Sequence, residues 1–79
     1  MPSRPRKIGS LHSSRYRSFR KLLRQARVTA GLSQVQVAKL LGRPQSFVSK
    51  CESGERRVDV VELQDFARLY GKRITFFIP

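Results

Sequence analysis

Acidic residues are scarce in this chain: five Asp and Glu stand against seventeen Lys and Arg, a formal net charge of +12 over 79 residues. A single cysteine, Cys51, excludes an internal disulfide and suits a reducing interior, so a cytoplasmic placement is expected. Cys51 and the lone histidine, His12, fall short of the four ligands of a structural zinc site, and no metal or other cofactor is expected. No apolar run approaches the roughly 20 residues that cross a bilayer, so a membrane partner is not expected. Nor does any segment have the apolar stretch of a secretory signal; the first 18 residues, basic and rich in serine, resemble a transit peptide only superficially. Carboxylate pairs in an apolar setting and Gly-rich phosphate loops are missing too, and enzymatic chemistry is not expected.

What is present is cationic and unevenly placed. Residues 1–27 carry nine Lys and Arg without one acid, whereas residues 28–79 carry eight with all five acids. Such an excess points to a polyanion, and nucleic acid fits better than an anionic membrane. Apolar residues make up 39% of the chain, enough to fold. A domain this small buries only about 60% of its unfolded surface, which leaves little room for a deep cleft.

Residues 1–15, "MPSRPRKIGSLHSSR", read as a flexible basic arm. From Tyr16 the pattern turns helical, with Phe19, Leu22, Leu23, Ala26 and Ala30 on one stripe and Gly31 as a left-handed cap. Ser33 and Gln36 have capping-box spacing, so a second helix begins at Gln34, buries Val37, Ala38 and Leu41 with part of Val35 and Leu40, and stops at Gly42. A third follows "GRP" and ends at Gly54; a fourth opens on the box of Asp59 and Glu62 and buries Leu63, Phe66, Ala67 and Tyr70. In the apolar tail 72–79, "KRITFFIP" favours a strand by propensity, with a truncated fifth helix as the alternative.

Residues 34–53 meet the demands of a helix-turn-helix. Ala38 is small where two helices cross, Gly42 accepts the positive φ of a sharp turn, and Val48 and Cys51 lie one turn apart on the inner side of the third helix. Gln45, Ser46, Ser49 and Lys50 then face outward together, as the base-reading residues of a helix in the DNA major groove do. A merely solvated face is the plainer reading of these four residues.

The stretches "LLRQARVTAGLSQVQVAKLLG", "RPQSFVSKCESGER" and "VVELQDFARLYG", about 55 of the 79 residues, resemble the Cro/C1 (Xre-type) helix-turn-helix regulators of bacteria and phages. Arg27, the "GLSQ" entry, Ala38, Gly42, Ser49, Glu52 and Gly54 stand where that pattern expects them. Two features depart from it: Cys51 replaces a larger apolar residue, and "ITFFIP" stands in place of a full fifth helix. The resemblance implies an all-α, four- to five-helix domain like that of lambda repressor, spanning 16–71. It implies a homodimer on double-stranded DNA at a palindromic operator, repressing transcription from the bacterial nucleoid.

By the same resemblance Gln45 reads a base, its amide matched to adenine N6 and N7. Ser46, Ser49 and Lys50 complete the reading surface. Gln34, Arg43, Ser53, Arg56 and Arg57 hold phosphates, and Arg27 with Glu52 forms an ion pair tying the first helix to the third. Phe47 belongs either to the core or against a thymine methyl group. Cys51 reads as a small buried hydrophobe, with a redox switch as the sharper alternative. The arm attracts DNA non-specifically or lies in a minor groove. An antitoxin that represses its own operon and binds a toxin through the arm or an unpaired tail strand is the alternative function.

Overall fold

The computed structural model describes residues 13–79. The arm expected over 1–15 therefore lies outside the described residues except at its last three positions. There α1 (Ser14–Thr29) begins two residues earlier than the apolar stripe suggests, because the Ser13 hydroxyl accepts from the Tyr16 N–H at 3.1 Å and caps it. Three further α-helices follow: α2 (Gln34–Leu41), α3 (Gln45–Ser53) and α4 (Val60–Tyr70).

Both capping boxes form. At α2, Ser33 Oγ accepts from the Gln36 N–H while Gln36 Oε1 accepts from the Ser33 N–H; Asp59 and Glu62 do the same at α4. Gly42 has φ of +67° and lets the Arg43 N–H reach back to the Ala38 carbonyl, which closes the tight α2–α3 turn.

The core is one cluster. Phe19, Leu23 and Ala26 from α1 meet Val37 and Ala38 from α2, Phe47, Val48 and Cys51 from α3, and Leu63, Phe66, Ala67 and Tyr70 from α4. Ala30, placed on the inner stripe by its spacing, is exposed; it caps the end of α1. Leu40 is exposed as well, and Val35 less so. The Phe47 and Phe66 rings are parallel with centroids 5.9 Å apart, so Phe47 is a core residue.

The tail corrects the strand expectation. Residues Ile74–Phe77 form a 3-10 turn, and no strand occurs among the described residues. Gly71, at φ +68°, turns the chain back, and the Lys72 N–H bonds the Ala67 carbonyl at 2.9 Å. The turn packs on α1 and α4 and buries Phe77 completely. A strand would have aimed Phe76 and Phe77 to opposite faces; the tight turn drops Phe77 into the core and leaves Phe76 half-buried.

Candidate nucleic-acid interface

The α3 helix has one buried side, formed by Phe47, Val48 and Cys51, and one accessible side. Gln45, Ser46 and Lys50 are exposed and Ser49 is half-buried, so the four residues expected to face outward share that accessible side. The Ser49 hydroxyl donates to the Ser46 carbonyl at 3.2 Å. Pro44 precedes the helix with extended φ and ψ and offers no side-chain cap.

Behind this helix, α1 grips its C-terminal half. Arg27 Nε donates to Glu52 Oε2 at 2.6 Å and Arg27 Nη2 to Glu52 Oε1 at 3.1 Å, with side-chain exposures of only 11% and 6%. A third Arg27 bond reaches the Leu32 carbonyl. Donating to the Glu52 carboxylate raises the Arg27 pKa further, so the guanidinium stays charged. Gln34, expected on a phosphate, donates its amide to Glu52 Oε1 at 3.1 Å and is half-buried. It thus links α2 to the same carboxylate. Two turns before Arg27 on α1, Arg20 Nη1 donates to the Ser53 carbonyl at 2.7 Å, at the negative end of the α3 dipole. Gly54 makes room for it: with φ at +88°, a Cβ there would lie 2.9 Å from the Arg20 guanidinium.

The arginines around α3 are not loose. Arg43, in the α2–α3 turn, donates Nη2 to Glu62 Oε2 at 3.0 Å. Arg56, in the α3–α4 loop, grips the same carboxylate with Nη1 at 2.7 Å and Nη2 at 2.8 Å. Both guanidiniums lie over the Phe47 ring, at 4.0 and 4.8 Å from its centroid. Arg57 is exposed and lies 5.2 Å from the Tyr16 ring, whose hydroxyl accepts from the Val58 N–H. Ser53 is exposed and donates to the Lys50 carbonyl.

A helix-turn-helix domain model matches residues 18–72 of the chain. Among solved structures it is similar to an XRE-family like protein from Pseudomonas syringae pv. tomato str. DC3000, with 48% identity, a TM-score of 0.77, and coverage of 85% of this chain and 82% of that one. The chain belongs to the Xre family of helix-turn-helix DNA-binding regulators. A search of curated proteins finds no match. Among the described residues no helix is long and apolar enough to cross a membrane.

Within this Xre domain two contributors escaped the sequence reading. Arg20 had a legible signal, since its seven-residue spacing from Arg27 places both on one face of α1. Glu62 had none beyond its capping box; its arginine partners come from two loops whose path the spacing does not reveal. Cys51 is fully buried, and burial pushes its thiol pKa up, which favours the protonated form over the thiolate that a redox switch would use.

Glu62 also makes stability depend on pH. The Arg56 hydrogen bonds, aided by the Asp59 N–H and both guanidinium charges, hold its carboxyl below the ordinary 4.5 despite burial. A pKa depressed by folding stabilises fully above the unfolded value and loses that contribution as pH falls through the folded one. Thermal melts between about pH 6 and pH 3 should therefore show an acid limb beginning near 4.5, and Glu62→Gln should flatten it. Parallel limbs in the two proteins would assign acid sensitivity to other carboxylates.

Proposed function

We propose that the protein is a sequence-specific transcriptional repressor that binds a palindromic operator in double-stranded DNA as a homodimer, with α3 in the major groove. The observation that carries this reading is the accessible side of α3. Short hydrogen-bonding side chains (Gln45, Ser46, Ser49) and one cation (Lys50) stand there, backed by a fully packed inner side and flanked by Arg43, Arg56 and Arg57. Side chains without negative charge approach base edges closely, whereas carboxylates would be repelled by phosphates. In this reading Gln45, Ser46, Ser49 and Lys50 read bases. Gln34, Arg43, Ser53, Arg56 and Arg57 contact phosphates, and Arg27 with Glu52 fixes the angle at which α3 is presented.

One recognition helix touches few base pairs, and a two-fold pair places a second about one DNA turn away. Selection of bound sequences from random DNA, followed by footprinting, should return a palindrome with two protected half-sites; an asymmetric footprint would overturn the dimer. Gln45→Ala should weaken binding to the selected site by about 1–3 kcal/mol and relax preference at one base position. Unchanged affinity and unchanged preference would remove Gln45 from the reading surface. With residues 74–77 folded against α1 and α4, the unpaired tail strand that favoured a toxin partner is absent among the described residues.

A further inference from the structure

Glu62 is an acid beside the recognition helix of a strongly cationic protein. Coulomb attraction alone would make it a handicap for binding a polyanion, so neutralising it should tighten every DNA complex. The contacts around it argue the reverse. Its Oε1 accepts from Arg56 Nη1 and the Asp59 N–H, and its Oε2 accepts from Arg56 Nη2 and Arg43 Nη2. Both oxygens are filled, and the carboxylate is 10% exposed while the two arginine side chains are 42% and 39% exposed. The acid is therefore screened from an incoming phosphate by the cations it holds.

The two arginines come from opposite ends of the recognition helix. Arg43 precedes α3 by two residues and Arg56 follows it by three, yet both meet at one oxygen of a side chain on α4. Two guanidiniums this close repel each other unless a negative charge lies between them. Phe47 completes the mount: it is buried, parallel to Phe66, and covered by both guanidiniums. Long arginine side chains lose rotamer freedom on contact with a ligand, and holding them beforehand removes part of that cost.

We infer that Glu62, with Phe47 beneath the two guanidiniums it holds, is a positioning residue of the DNA interface: it fixes Arg43 and Arg56 as a paired phosphate grip beside the N-terminal half of α3. Loss of its charge thus weakens specific binding instead of strengthening it. The inference rests on the proposal that these arginines contact phosphates, and the experiment separates the two.

The full chain is titrated by fluorescence anisotropy against the selected operator and against a scrambled duplex of equal length, over a range of salt. Glu62→Gln keeps an acceptor for the Asp59 N–H while removing the charge. It should bind the operator roughly tenfold more weakly, with scrambled DNA unchanged or tighter. Its log K against log salt slope on the operator should be shallower by up to about 2, one phosphate per arginine at about 0.9 each. Glu62→Asp, which restores a carboxylate, should recover most of the slope. Phe47→Leu changes no charge and should also give a shallower slope, so the mount is tested even where Glu62→Gln melts below the assay temperature. Tighter binding of Glu62→Gln to both duplexes with an unchanged slope would overturn the inference, as would an unchanged slope for Phe47→Leu. Arg43→Ala and Arg56→Ala form the separate arm. If neither lowers the slope, the phosphate reading itself falls; if both lower it while Glu62→Gln tightens binding, only the positioning role falls.

Discussion

Glu52→Ala should lower the stability of the domain by about 3 kcal/mol and its melting temperature by roughly 12–24 °C, the largest loss expected of any exchange of a polar side chain here. The carboxylate is nearly buried and serves two side chains on two helices, Arg27 on α1 and Gln34 on α2. Its removal leaves the Arg27 guanidinium, 11% exposed, with only the Leu32 carbonyl as a remaining protein partner among the described residues. An uncompensated charge at that depth costs far more than the 0–1 kcal/mol of an exposed pair. Total stability for a chain of this size is roughly 4–12 kcal/mol, so the variant should be marginal at physiological temperature. Urea denaturation measures the loss, and an Arg27→Ala, Glu52→Ala cycle isolates the pair. The double variant should lose less than the sum of the single ones, because no orphan charge remains. A single-variant loss below about 1 kcal/mol would reduce the pair to an ordinary surface contact.

That pair also marks how far the residues alone could lead. The helix ends that carried a local chemical signal were legible, Ser33 with Gln36, Asp59 with Glu62, and Gly42, Gly54 and Gly71 at positive φ, whereas the start of α1 at its Ser13 cap was not. The inner face of α4 followed from spacing, as did Val37 and Ala38 on α2 and Val48 and Cys51 on α3; Val35 and Leu40 proved exposed, and only the fold assigns Phe47 to the core. Side-chain destinations across the fold were another matter. Nothing local tells Gln34 to donate to Glu52 across eighteen positions, or Arg43 and Arg56 to meet on Glu62. Residues singled out as phosphate ligands thus turn out to have intramolecular partners too: Gln34 on Glu52, and the Arg43 and Arg56 guanidiniums on Glu62. The comparisons carry the family, while these pairings are visible only in the folded geometry.

The strand favoured for the tail fails for a different reason, and the single helical turn is nearer the truncated fifth helix that was its alternative. Ile, Thr, Phe, Phe and Ile have high strand propensity, but propensity in such a short segment reflects how side chains pack on a pleated surface and yields to tertiary context. Here no neighbouring strand exists among the described residues, whereas α1 and α4 leave an apolar site that one aromatic ring fills. The 3-10 turn is the backbone path that delivers Phe77 to it.

Phe77→Ala should consequently cost about 3–5 kcal/mol, the range for removing a fully enclosed aromatic side chain and leaving a cavity. Ile78→Ala, one residue later and 55% exposed, should stay within about 0.5 kcal/mol of the parent. The contrast between adjacent positions is the informative quantity. A tail resting loosely on the surface, or held only by a partner, would give two small losses of similar size in the isolated chain. A tail that closes the core gives one large and one small. Because Phe77 packs against the same α1 that carries Arg20 and Arg27, its loss should also loosen the helix that grips α3. Amide exchange at the C-terminal half of α3 should then accelerate in Phe77→Ala beyond what its global stability predicts. Exchange that merely tracks global unfolding would confine the tail to a role in stability, with no influence on how α3 is held.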